Sequence, residues 1–157
     1  MVSQSITRRR VLVTAVAATA GASGTLRSLA ATGDYPAIQA YRNPGCGCCE
    51  KWAEGLRQAG FTVTMEDDPN LERRRAEAGV PAAIAGCHTA FMGDYVIEGH
   101  VPASDIKRLL SEKLEVRGLA VVGMPMGSPG MESGDAAEKY DVLAFTADGA
   151  STVFASY

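Results

Sequence analysis

Three cysteines fall within four positions, Cys46, Cys48 and Cys49, at the point where a short strand pattern gives way to a helical one. That placement constrains the chain more than any other feature. "AIQAYR", residues 37–42, reads as a strand and "NPG" as the loop that leaves it. In "CCEKWAEGLRQAG" the residues Cys49, Trp52, Leu56 and Ala59 share one helical face, and Gly60 supplies a stop. The thiols therefore sit at the mouth of a helix that follows the first strand.

The rest of the chain is predicted to continue the alternation. "FTVTME" is a second strand, and "NLERRRAEAG" a second helix ended by Gly79. "PAAIAGCHTAFM" and "DYVIEGHV" pair as a hairpin across a Gly-Asp turn. "PASDIKRLLSEK" begins at Pro102, offers Ser104 as a cap, and carries Ile106, Leu109 and Leu110 on one face. From residue 118, "GLAVVGMPMGSPGMESGDAAEKY" lacks periodicity and is expected to be a long ordered loop. "DVLAFTADGASTVFASY" reads as a terminal hairpin turning at Asp148-Gly149, packed on the same domain because an isolated hairpin is only marginally stable.

This β-α-β-α-β-β-α order, a mixed α/β sheet of the α+β kind, resembles the thioredoxin-like fold. Cys46 and Cys49 occupy the place where that fold carries its C-x-x-C. Pro81 in "GVP" resembles the proline, commonly cis, that precedes the third strand in such proteins.

Residues 1–30 are set apart from the domain of residues 31–157. They show a basic segment, an apolar run from Val11 to about Ala22, and "SLA" ending at Ala30, the pattern of a leader cleaved near Ala30. Arg8, Arg9 and Arg10 before Val11-Leu12 resemble a twin-arginine export signal, with ordinary Sec export the runner-up. The apolar run is well short of the roughly 20 residues a spanning helix needs, so no stable membrane insertion is expected after cleavage. The expected location is the periplasm. Cleavage removes four arginines and no acids, leaving 11 basic against 18 acidic residues, a net charge of −7. No concentrated basic surface remains for phosphates, which argues against a nucleic-acid partner. The one basic run, Arg73 to Arg75, reads as a solvated helix face.

In an oxidising compartment four cysteines would ordinarily form a structural framework. Their spacing fits that poorly, because Cys48 and Cys49 are adjacent and only a bridge to Cys87 would join distant segments. Two chemical readings remain. In the first, a periplasmic thiol–disulfide oxidoreductase, the helix N-terminus lowers the thiol pKa, Cys46 attacks and Cys49 resolves, although Cys48 would be free to capture the mixed disulfide. In the second, the thiols hold metal. Zinc sites usually present two separated knuckles, whereas this chain has one crowded knuckle and the lone Cys87.

Soft thiolate and thioether donors select Cu(I). Met124, Met126 and Met131 lie in the Gly- and Pro-rich "GMPMGSPGM" segment, away from any helix core, and as a set they favour copper. Of the two histidines, His100 in "EGHVP" is the better ligand candidate. Strand alternation predicts that His88 faces away from Cys87.

Taken together, "YRNPGCGCCEKW", "VPAAIAGCHTAF", "YVIEGHVPASDIKRLL" and "GLAVVGMPMGSPGME" resemble a bacterial family of exported CopG-type copper-resistance proteins, long catalogued as a domain of unknown function. The resemblance spans about residues 36–157. It implies a thioredoxin-like fold adapted to copper, with Cys46, Cys48, Cys49 and Cys87 as thiols of a multi-copper Cu(I) cluster and His100, Met124 and Met126 as additional ligands. It further implies a part in copper resistance, Cu(I)/Cu(II) interconversion, and exchange with periplasmic copper-handling proteins.

Overall fold

The structure is a computed structural model that describes residues 35–134 and 136–157. The expected leader and its cleavage site lie outside those residues. Seven strands form one mixed sheet: β1 (Ile38–Arg42), β2 (Val63–Asp67), β3 (His88–Met92), β4 (Tyr95–Glu98), β5 (Gly118–Val121), β6 (Asp141–Phe145) and β7 (Ser151–Ser156). Among the described residues three helices accompany them, α1 (Gly47–Gln58), α2 (Leu71–Glu77) and α3 (Ala103–Glu112). The spatial order is β2-β1-β3-β4-β5-β6-β7.

The first four strands have the thioredoxin-like arrangement. β1 and β2 are parallel and joined through α1, while β3 runs antiparallel to both β1 and β4. The β3–β4 hairpin closes over Gly93-Asp94 as expected, with Gly93 at φ +58°. The terminal hairpin joins the same sheet through β5.

Alternation along the strands sorts the core onto two faces. Ile97, Leu119 and Val121 pack with Trp52 and Leu56 of α1 and Ile106 and Leu109 of α3. Their neighbours Val96 and Ala120 point to the other face, where Ala78, Val80, Ile84 and Phe145 cover them. The helical face read from sequence is correct: Cys49, Trp52 and Leu56 are buried.

Four expectations need correction. Residues 118–121 are not loop but β5, paired parallel to β4. All four residues are buried, so the strand lacks the alternation that would reveal it. The third strand does not start near Pro81: the bond before Pro81 is trans, a 3-10 turn follows at Ala82–Ile84, and β3 begins only at His88. Ser104 makes no cap, and its hydroxyl instead lies 3.4 Å from that of Tyr157. Arg75 of the basic run is buried rather than solvated, and its Nε donates to Glu98 Oε1 at 2.7 Å.

The topology gathers one end of the sheet. Register pairs Arg42, the last residue of β1, with His88, the first of β3, and Glu98, the last of β4, with Thr89. A parallel bridge joins Gly86 to Gly123 just beyond β5. The cysteine loop, the approach to β3 and the segments after β4 and β5 all meet there.

Candidate metal centre

Cys46 is the N-cap of α1, with Cys48 and Cys49 in the first turn, where backbone N–H groups lack helical partners. The loop is pinned by Arg42, whose Nη1 donates to the Cys46 carbonyl at 2.9 Å while its Nε bonds Asp67 at 2.8 Å. Cys46 and Cys49 are joined by a disulfide, and Cys48 and Cys87 are free. The four sulfurs stay close. Cys46 and Cys48 Sγ are 3.4 Å apart, and so are Cys49 and Cys87 Sγ.

Cys87 reaches α1 from a bend before β3 because two backbones approach closely behind it. A Cβ on Gly86 would lie 2.5 Å from the Gly99 Cα, and one on Gly99 would lie 2.5 Å from the Val121 carbonyl oxygen. Only glycine fits either position, and Gly99 also holds φ +67°. This contact brings the segment carrying Cys87 against the segment carrying His100. Cys87 Sγ lies 2.8 Å from His100 Nε2.

His88 belongs to the same cluster, contrary to the alternation argument. Cys87 precedes the strand and so does not obey its alternation, and the His88 Nδ1 lies 3.4 Å from Cys87 Sγ. The His88 ring is wholly buried, 4.1 Å from the Trp52 ring and 5.3 Å from that of His100. Its Nε2 has no hydrogen-bond partner among the described residues. Only the exact start of the strand could have revealed this, and sequence leaves strand ends uncertain by a few residues.

The donors form two overlapping sets, Cys46, Cys48, Cys49 and Cys87, and Cys49, Cys87, His88 and His100, with the ligand atoms of each within 4.8 Å of one another. Cys49 and Cys87 belong to both. Met124 adds a thioether, its Sδ 3.9 Å from Cys48 Sγ, and its side chain is exposed at the surface. Met126 is held by its backbone, whose N–H donates to Glu138, and no hydrogen-bond contact carries its sulfur to the thiols among the described residues.

The loop that follows β5 straps the site. Pro129 O accepts from His100 Nδ1 at 2.6 Å, and a carbonyl can only accept, so the proton is on Nδ1 and the Nε2 lone pair faces Cys87. Gly130 holds φ +88°, and a Cβ there would lie 2.7 Å from the Cys48 carbonyl oxygen and 2.8 Å from the Trp52 nitrogen. The "GSPGM" segment thus lies directly on the first turn of α1.

Burial keeps these groups uncharged. It pushes the Cys87 thiol up to about 12, with the nearby Cys48 adding to the shift. Burial likewise holds His88 well below its usual value, reinforced by His100, and lowers His100, against the Pro129 hydrogen bond. Neutral imidazoles are the metal-binding form, and a cation at the thiols would displace their protons. Sulfur donors with two imidazoles and a thioether fit a soft ion better than a hard one.

Behind the cluster, Glu98 is wholly buried. Its Oε1 accepts from Arg75 and from the Gly86 N–H, both at 2.7 Å, and its Oε2 from Thr89 at 2.6 Å. Arg75 Nη2 in turn donates to the Gly86 carbonyl at 2.9 Å. Burial raises the Glu98 carboxyl, opposed by Thr89 and Arg75. This network clamps the residue immediately before Cys87.

A family model described as "Protein of unknown function, DUF411" matches residues 84–131. No curated protein matches the chain. Two solved structures, forms 1 and 2 of copper resistance protein CopG, are each 40% identical to it with a TM-score of 0.75. Each match covers 79% of this chain, and 98% and 99% of the respective structures.

Proposed function

Because the chain belongs to the family of copper resistance protein CopG, we propose that it binds copper as cargo, held as Cu(I) by Cys46, Cys48, Cys49, Cys87, His88 and His100, with Met124 at the outer edge. The observation that carries this reading is the sharing of Cys49 and Cys87 between two four-residue donor sets. Thiolates common to two sets can bridge ions, so several Cu(I) can be held by few ligands. Met126, in the same loop, would add a second thioether.

Loading requires reduction of the Cys46–Cys49 disulfide, because only thiolates bind. The two states are linked in the other direction as well. A Cys46/Cys49 dithiol releases two electrons on closing its disulfide, enough to convert two Cu(II) to two Cu(I), with the protons passing to water. The arginine-bearing leader supports action in the periplasm, where other copper-handling proteins would supply or collect the metal. Among the described residues no helix is long and apolar enough to cross a membrane.

The test is anaerobic Cu(I) titration of the reduced mature chain, with metal analysis after desalting, beside the Cys48→Ser variant. Several coppers retained per chain, falling sharply in the variant, are expected. No retained copper contradicts the reading.

A thiol–disulfide oxidoreductase is the second reading, favoured by the disulfide at the mouth of α1. It predicts that Cys48→Ser leaves insulin disulfide reduction intact and Cys46→Ser abolishes it.

A further inference from the structure

The four sulfurs form an unbroken series of contacts. Cys48 stands 3.4 Å from Cys46, Cys46 is bonded to Cys49, and Cys49 stands 3.4 Å from Cys87. A free thiol therefore lies against each end of the disulfide. Among the described residues only Cys87 also faces a fixed proton acceptor, the His100 Nε2 at 2.8 Å, whose tautomer is set by the Pro129 carbonyl. Nucleophile, acceptor and orienting carbonyl are thus gathered beside one sulfur of an existing bridge.

We propose that the bridge migrates within the chain from Cys46–Cys49 to Cys49–Cys87, with Cys87 as nucleophile, His100 as proton acceptor and Cys46 as leaving group. The Cys87 proton passes to His100 Nε2 as Cys87 Sγ attacks Cys49 Sγ. The bond between Cys49 and Cys46 breaks, and its electron pair stays on Cys46 Sγ. One S–S bond forms and one breaks, so no outside oxidant or reductant is used. Cys46 is left at the half-exposed first turn of α1, where unpaired N–H groups favour a thiolate, and the His100 proton returns through solvent.

The two states present different surfaces. With the bridge at Cys46–Cys49 it closes only the first turn of α1, a sequence separation of 3. After migration it ties α1 to the bend before β3, across a separation of 38. Cys46 and Cys48 then stand together as free thiols, with the exposed Met124 sulfur 3.9 Å from Cys48. The oxidised chain thereby keeps an outer set of three soft sulfur donors while its inner thiols are sealed. The migration itself needs no metal, so it stands or falls apart from the copper reading.

A buried Cys87 thiol is a minor nucleophile, so exchange is expected over minutes to hours. The test uses oxidised, metal-free mature chain at mildly alkaline pH, quenched at intervals with acid and then alkylated. Fragmentation mass spectrometry of the peptides locates each bridge. The expected result is growth of a Cys49–Cys87 bridge with alkylated Cys46, slowed about 100-fold in His100→Gln, whose folding is checked by circular dichroism. Persistence of Cys46–Cys49 alone through the whole course in wild type would overturn the proposal. So would migration to Cys46–Cys48, which would make Cys48 the nucleophile. The wild-type course decides the matter even where a variant fails to fold.

Discussion

The imidazole of His100 faces the thiol of Cys87 across 2.8 Å, although the two residues come from opposite ends of the β3–β4 hairpin. The hairpin turns at Gly93-Asp94, so residues flanking its open end return to the same place. Glycines at 86 and 99 remove the side chains that would hold them apart. A thiol and an imidazole separated by 13 positions are thereby made as close as neighbours on a helix.

The unpartnered His88 Nε2 gives a first prediction. In metal-free protein it is a buried polar atom with no hydrogen bond, costing stability, so His88→Phe should raise the unfolding free energy by about 1 kcal/mol. Denaturant midpoints check this. The same variant should retain less Cu(I) on titration, separating a ligand from a packing residue.

Stability should also depend on pH in a defined direction. Burial lowers the folded-state pKa of both histidines below the ordinary 6.5, so below that value the unfolded chain binds more protons. Stability is therefore full above about pH 6.5 and is lost as pH falls, at up to about 1.4 kcal/mol per pH unit for each histidine. Glu98, raised by burial, contributes with the opposite sign, so the readout is the difference from His88→Phe. Denaturant midpoints between about pH 5 and 8 should show a shallower acid loss in the variant.

Gly130 tests the strap. A Cβ there meets the Cys48 and Trp52 backbone at 2.7 and 2.8 Å, and φ is +88°. Gly130→Ala should lift the segment, loosen Pro129 from His100, and weaken Cu(I) binding by about 10- to 100-fold in chelator competition, the range for lost outer support of a ligand. Unchanged affinity would remove the strap from the account.

The Arg75–Glu98 pair is expected to behave as a buried couple. Arg75→Ala leaves a wholly buried carboxylate and should cost about 3–5 kcal/mol, measured by chemical unfolding. Adding Glu98→Gln should recover part of that loss, since a neutral amide is cheaper to bury. Equal costs in the single and double variants would contradict the coupling.

Much of this arrangement was legible in the sequence. The strand–helix order, the helical face through Cys49, Trp52 and Leu56, and the β3–β4 hairpin whose open end carries Cys87 and His100 follow from periodicity and turn residues. What escaped did so for identifiable reasons. β5 is buried on both sides and begins at Gly118, where a Cβ would collide with the Val96 carbonyl, so composition there resembles a loop. Alternation misplaces His88 because a bend at Cys87 shifts the start of the strand. Arg75 looked solvated because its partner Glu98 lies 23 positions away. Long-range pairing of this kind leaves no local pattern.

Copper K-edge X-ray absorption on the Cu(I)-loaded, reduced chain tests the central claim most directly. The account predicts a first shell dominated by sulfur, a copper–copper scattering path from bridging thiolates, and a nitrogen contribution that falls in His100→Gln. A first shell of nitrogen and oxygen without sulfur, or a single copper with no neighbouring copper, would contradict it.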